Sequence, residues 1–390
     1  MAFQFGLNAE ADGRWLALTR SILVNDARWL DQLLAAFPTP ESLLNASASA
    51  LSWHNDGTED GTEDGTEIVR RSIEESRPVS LPDCLVGGSG LYLVTPNDSE
   101  YPALLAECAD RPPFLFVRGD LKHLETTTLS IVGTRKPSLD GQRAAAEFSA
   151  GAADAAICVV SGLALGIDGI AHDAALRAGG ATIAVLPCGI DRIYPYRHRD
   201  LAKRVARGGA LVSEFPLGTP PRKHHFHRRN RTLSGLSMAT LVIEAGRPSG
   251  TLLTASSAAD QGRDVLVLPW SIYHPTGAGC RYLLADGAML MQSVEDLWAY
   301  LNVSPAAGLT DASLVWPSGS AGGKLPQLTP DQRLLLGLLG DSTHHADVLA
   351  GALKWELDRC LACLSALEVD GWVDKVAGGY RARQQPRTVH

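Results

Sequence analysis

Aromatic side chains make up only 6% of this 390-residue chain, methionine occurs four times, and the seven cysteines are scattered and odd in number. Such a set does not make the framework of a small secreted domain, so no disulfide scaffold is expected. Long apolar runs are missing too. The uncharged stretch between Asp154 and Asp168 has 13 residues and two glycines, against the ~20 residues a bilayer-spanning helix needs. Met1 to Gly6 shows neither a basic flank nor an apolar segment of a secretory signal, which predicts a cytoplasmic protein with no membrane partner. G-x-G-x-x-G follows no predicted strand, which argues against a nicotinamide or flavin enzyme. Gly322-Gly323-Lys324-Leu325 imitates a P-loop but lacks the Ser/Thr after lysine, so a self-contained ATPase is disfavoured as well.

What remains is a globular composition, 45% apolar and 20% charged, long enough for two or three domains at roughly 150 residues each. The formal net charge of -8 argues against a polyanion ligand only if charge is evenly spread. It is not. Between Arg197 and Arg231 lie ten basic residues and two acids, Asp200 and Glu214, with four of the eleven histidines. A basic stretch in an acidic chain marks a local anionic partner.

Up to about Ser80 the pattern is helical. Trp15, Leu18, Ile22 and Leu23 predict a helix within 14–37, ended by Pro38 and Pro40, and a shorter one follows over 41–50. The unit Asp-Gly-Thr-Glu then repeats three times from Asp56 to Glu67, with no apolar residue, and reads as a solvated loop. From about Leu91 the period changes. Continuous apolar runs predict strands over 114–117, 129–132, 156–160, 182–186, 210–212, 240–244 and 265–268, the pattern of a parallel sheet covered on both faces. Helices fit between them over 141–153, 169–178 and 251–261. The expectation is an α/β fold with a doubly wound, mostly parallel sheet that binds ligands at its carboxyl edge. Residues 302–327 read as a linker. Three short helices over 331–367 and a hairpin over 371–381 then match a winged helix.

Three Gly-rich loops follow strands and open helices: Gly133-Thr134-Arg135-Lys136, Ser161-Gly162-Leu163-Ala164 through Gly169, and Gly246 through Ser249-Gly250-Thr251. Glycine admits a close ligand and helix-start amides hold phosphate. Together with the basic stretch they predict phosphate binding. In Phe226-His227-Arg228-Arg229-Asn230-Arg231, guanidiniums bind phosphate oxygens, asparagine can read a base edge and phenylalanine can stack on an unpaired base. That favours a single strand over a duplex. The bland alternative is a solvated basic loop with Phe226 as a core anchor. His224, His225 and His227 lack a cysteine or carboxylate beside them, so no metal is assigned, and Cys360 and Cys363 read as core. Asp168 reads as a helix cap, with His172 one turn on and able to hydrogen-bond it. No catalytic constellation is expected.

These residues resemble the DNA-processing protein A (DprA/Smf) family over at least residues 101–288. The matches run in order: Tyr101-Pro102, Pro112-Pro113 through Arg118-Gly119-Asp120, Ser161 through Asp168, Ala171-His172, Tyr194-Pro195, Ser213-Glu214, Arg229-Asn230-Arg231, Ser234-Gly235-Leu236, Ser249-Gly250-Thr251, Gly262 through Val265, and Gly279-Cys280 through Gly287-Ala288. The resemblance implies a helical SAM-like (helix-hairpin-helix) domain over 1–85, an extended Rossmann-like domain over 86–302, a linker over 303–326 and a winged helix over 327–384. It implies a cytoplasmic, non-enzymatic single-stranded DNA-binding protein of natural transformation, without cofactor. Such a protein shields incoming DNA and loads RecA recombinase onto it, as a homodimer through the Rossmann-like domain, with single-strand-binding protein as a further partner. The implied DNA contacts are Gly133, Thr134, Arg135, Lys136, Gly162, Leu163, Arg197, Arg199, Lys223, Phe226, Arg228, Arg229, Asn230, Ser249, Gly250 and Thr251. Leu165 stands where the family is often basic, and His227 where proline is usual. The rival is a nucleotide-binding Rossmann-like phosphoribohydrolase, a group in which a glutamate follows the Gly-rich loop; Thr254 stands there instead.

Overall fold

The computed structural model describes residues 2–6, 8–24, 36–46, 65–78, 90–304, 329–339, 343–353, 355–369, 372–376 and 379–382. It divides into two compact units, Met1–Asp311 and Ala312–His390.

The first unit is built on one ten-stranded sheet, in the order β1-β2-β3-β7-β6-β5-β4-β8-β9-β10. The strands are β1 (Phe3–Gln4), β2 (Leu91–Val94), β3 (Leu115–Gly119), β4 (Thr128–Val132), β5 (Cys158–Ser161), β6 (Thr182–Leu186), β7 (Gly209–Ser213), β8 (Ala239–Val242), β9 (Asp264–Val267) and β10 (Met289–Leu290). From β7 to β10 neighbouring strands are parallel, and β1, β2 and β3 extend the sheet antiparallel beyond β7. The apolar runs mark the central strands to within a residue or two, because a strand covered on both faces needs no polar alternation. Thr182–Leu186 is buried at every position. Its side chains alternate, Ala184 and Leu186 into one layer and Ile183 and Val185 into the other.

Helices α1 (Ala9–Val24), α2 (Pro40–Leu44) and α3 (Gly65–Glu74) come before the sheet's main body. Trp15, Leu16, Leu43, Val69 and Ile73 share a core with Phe5, Phe114, Phe116 and Leu186. Burying side chains of this size is worth about 1.5–3 kcal/mol each, so these helices are held on the sheet by apolar contact. The capping box of α2, in which the Thr39 side chain accepts from the Ser42 amide at 3.1 Å, and Pro40 in its first turn fix its start. One expectation is revised: the last acidic repeat is not all loop, since α3 starts at Gly65. The rest of the repeat, like residues 47–50 and most of the linker, lies outside the described residues.

The layers over the parallel strands comprise α4 (Leu139–Asp154), α5 (Ile167–Arg177), α6 (Arg199–Gly208), α7 (Lys223–Gly235), α8 (Gly250–Asp260), α9 (Ala278–Ala285) and α10 (Val294–Leu301). Phe148 and Ala171 seal one face of β4 and β5. Leu233, Ala255 and Leu283 seal the other. In the second unit, α11 (Pro330–Leu339), α12 (Ala346–Leu353) and α13 (Leu357–Val369) precede the antiparallel hairpin β11 (Val373–Val376) and β12 (Gly379–Ala382). Leu335, Leu349, Cys360, Leu364, Val373 and Tyr380 form its core, and three helices plus a hairpin is the winged-helix arrangement expected. Cys360 points its thiol at the Ala346 carbonyl, 3.6 Å away.

Candidate nucleic-acid interface

Strand order reverses at β4, which has β5 on one side and β8 on the other. At such a switch point the loops leaving two neighbouring strands diverge and open a crevice at the carboxyl edge. All three Gly-rich loops meet here. The Thr134 amide donates to the Glu244 carbonyl at 2.7 Å and the Thr134 carbonyl accepts from the Ile167 amide at 3.2 Å, tying the loops after β4, β5 and β8 together. A Cβ at Gly133 would lie 2.5 Å from the Ile167 side chain, so glycine is needed for that approach. Beneath the loops Glu244 is fully buried and accepts from the amide and hydroxyl of Ser138, both at 2.9 Å, and from the Thr276 hydroxyl.

The crevice is a cleft of about 590 Å³. Gly133, Thr134 and Arg135 form one wall, Ser249, Gly250 and Thr251 another, and Lys223, Phe226, Arg229 and Asn230 of α7 a third. Ser249 caps α8 by accepting from the Thr251 amide at 3.1 Å, and the positive end of that helix faces the cleft. Helix α7 begins at Lys223 without a side-chain cap. A cation at the positive end of a helix dipole disfavours the helix, so Lys223 adds to the field for an anion at some cost in stability. Phe226 is half-buried and meets Tyr194 edge-on, with ring centroids 5.7 Å apart. The guanidiniums of Arg135 and Arg229 lie 5.8 and 5.9 Å from its ring centre. The cleft therefore offers an aromatic ring beside two cations, with amides and a lysine around it.

Residues 92–302 match the model of the DNA recombination-mediator protein A family, and residues 320–379 match the DprA winged helix domain. The chain is 39% identical to protein Smf of Escherichia coli over 320 residues, covering 80% of this chain and 81% of the relative. The chain belongs to this family. The DNA-processing protein DprA of Bacillus subtilis is 36% identical over 236 residues, which is 60% of this chain and 79% of that one. Among solved structures, DNA processing protein A from Streptococcus pneumoniae superposes with a TM-score of 0.54 at 33% identity, over 61% of this chain and 83% of that one. DNA processing protein A from Helicobacter pylori, whose structure concerns its single-stranded DNA binding mode, gives a TM-score of 0.50 at 29% identity, over 54% of this chain and 95% of that one. Among the described residues, no helix is long and apolar enough to cross a membrane.

Several residues that the family resemblance placed at the DNA lie outside the cleft or turn their polar groups away from its open space, and the reasons are local. The basic hexapeptide is part of helix α7 rather than a solvated loop, and its successive arginines diverge. Arg228 turns to Glu214, donating to its Oε2 at 2.7 Å. Glu214 is buried at the end of β7; burial pushes its carboxyl upward, and the Arg228 charge opposes that shift. Arg229 points inward. Its Nη1 donates to the carbonyls of Gly162 at 2.5 Å and Val185 at 3.0 Å, and its Nε to Asn230 at 3.1 Å. It forms the floor of the cleft. Gly162 is thereby covered: its amide and that of Ala164 donate to Asp168 Oδ2 at 3.1 and 3.3 Å, and Leu163 is wholly buried with φ +57. Lys136 is exposed beside the cleft, while Arg197 sits in the turn Tyr196–His198 and Arg199 at its end.

Asp168 is not the cap of α5, since Gly166, with φ +81, holds that position. It closes the preceding loop instead. Burial raises its pKa, with the Arg229 charge and the two amides acting against that shift. His172 does not reach Asp168. Its Nδ1 lies 2.7 Å from the Thr182 hydroxyl, which itself donates to the Val159 carbonyl, and burial pushes its pKa down to about 3. His225 is buried and stacks on Phe215 with centroids 4.2 Å apart, so it belongs to the core rather than to a histidine loop. The sequence reading passed over Tyr194, His227, Leu253 and Thr254 as cleft residues. Tyr194 was legible as the aromatic of Tyr194-Pro195, but nothing in the sequence showed that it faces Phe226. The carboxylate at the cleft, Asp168, is engaged by two amides, and Thr254 brings no acid to it.

Proposed function

We propose that this protein binds single-stranded DNA in the cleft at the β4–β8 switch point. The observation that carries the reading is Phe226, half-buried at the cleft wall with the guanidiniums of Arg135 and Arg229 at 5.8 and 5.9 Å from its ring centre. A ring so placed can stack on a splayed base while the exposed Arg135 and Lys223 meet its phosphates, and a paired base cannot present that face. Family membership and the single-stranded DNA binding mode of the Helicobacter pylori relative support the same ligand. On this reading the protein acts in the cytoplasm during natural transformation. It shields incoming DNA, passes it to RecA recombinase and works as a homodimer through its Rossmann-like domain, with single-strand-binding protein as a second partner. The cleft acts by binding, without a cofactor and without cleaving a bond. The phosphoribohydrolase reading has no uncommitted carboxylate at the cleft to support it.

The test is a titration with single- and double-stranded oligonucleotides at two ionic strengths. Single strands are expected to bind more tightly. Replacing Arg135 and Lys223 together by alanine should weaken binding and flatten its salt dependence, each lost phosphate contact removing about 0.7 from the log–log slope. Arg228→Ala should leave the slope unchanged but lower the unfolding midpoint, because it strands the buried Glu214. An unchanged slope in the Arg135/Lys223 variant, or a preference for duplex, overturns the proposal.

A further inference from the structure

We propose that Tyr196 and Arg199 form a second stacking station, outside the cleft, that carries a long single strand onward across the start of α6. This rests on the reading of the cleft as a single-strand site. Tyr196 is 71% exposed. One exposed aromatic needs no explanation, but this one continues a series. Phe226 meets Tyr194, Tyr194 lines the cleft and is 42% exposed, and Tyr196 follows two residues later, no more than about 7 Å further along the backbone.

The station is held in place. Arg199 donates from Nη1 to the Tyr196 hydroxyl at 2.8 Å, and its guanidinium carbon lies 5.2 Å from the ring centre. The turn Tyr196–His198 is fixed to the loop after β5 by His198 Nδ1, 2.8 Å from the Leu163 carbonyl. A Cβ on Gly169 would lie 2.6 Å from that imidazole, so glycine leaves the room it needs. Ordering the ring before binding reduces what the ligand must immobilise.

The local charge suits a polyanion. Arg197 is exposed and has no partner among the described residues. Arg199 and Lys203 share Asp200, at 3.8 and 3.4 Å, so the cations exceed the acid. Every base has a π-face, and stacking on tyrosine beside arginine is indifferent to sequence. The ligand class is thus an unpaired polynucleotide longer than the cleft alone accommodates, and Tyr196 sets how much of it is gripped.

The full-length protein would be titrated with oligothymidines of about 6 and about 20 nucleotides, spanning the usual range of single-strand site sizes. Tyr196→Ala should weaken binding of the longer strand about 5- to 10-fold, the low end of base–aromatic stacking, and leave the shorter one unchanged. Tyr196→Phe, which keeps the ring but loses the hydrogen bond from Arg199, should retain most of the affinity for the longer strand. Tyr196 is solvent-exposed, so the thermal midpoint of either variant should not move. Phe226→Ala, measured alongside, should weaken both lengths. If Phe226→Ala weakens both while Tyr196→Ala weakens neither, the station is refuted and the cleft reading stands. Equal loss of short and long strands in Tyr196→Ala would also refute it, by placing Tyr196 inside the cleft. If neither variant loses affinity, the cleft reading itself fails and the station with it.

Discussion

Arg229→Met is expected to destabilise the unit Met1–Asp311 by roughly 3–5 kcal/mol, the range for breaking a buried charge arrangement by removing one side. Its guanidinium joins the ends of β5 and β6 through the Gly162 and Val185 carbonyls. Methionine fills the volume but leaves both carbonyls without that donor, and it removes the charge that opposes the upward shift of Asp168. Lysine should rescue only in part, because one ammonium has no second nitrogen to replace the Nε donor to Asn230. Denaturant unfolding measures the loss. Pairing the substitution with Asp168→Asn separates the charge effect from the hydrogen bonds: the double variant should lose less than the sum of the singles. An unchanged midpoint in Arg229→Met, or strict additivity, would show that the two groups do not act on each other.

Phe226→Ala is expected to cost about 1–3 kcal/mol of single-strand binding if the ring stacks on a base. Phe226→Trp should keep the affinity, since it retains a π-face, whereas Phe226→Leu should lose most of it while filling the same apolar space. That contrast matters because the ring also contacts Tyr194 and two guanidiniums, and its loss could loosen the cleft without any stacking on DNA. Fluorescence titration with oligothymidine at fixed salt reads the affinity directly. Leucine binding as well as phenylalanine would return Phe226 to a packing role.

The sheet could be read from the sequence because its central strands are continuous apolar runs. Thr182–Leu186 was placed to the residue, and the three glycine loops fell at the ends of adjacent strands. β1 and β10, at two residues each, are too short to carry a pattern, and β2, at four, is too short for its apolar run to stand apart from a loop. Helix α7 escaped for a different reason. Its buried side is spaced as a helix should be, at His225, Arg229, Thr232 and Leu233, but only the last is a hydrocarbon. A search for apolar periodicity therefore sees a charged loop. The same blindness hides where Arg228 is held: only the buried Glu214 across the fold shows what its guanidinium pairs with. The glycine expected at a close approach is there in Gly162, and the group that crowds it is the Arg229 guanidinium.

The bolt from Arg229 to the Gly162 and Val185 carbonyls sits one helical turn from Phe226. On the proposed reading, recognition and foldedness thus draw on the same few residues of one helix. On that reading, a screen for alleles defective in single-strand binding would recover Arg229 substitutions that look like binding mutants yet act by lowering cellular abundance through degradation. Immunoblotting each allele before assigning its defect would separate the two.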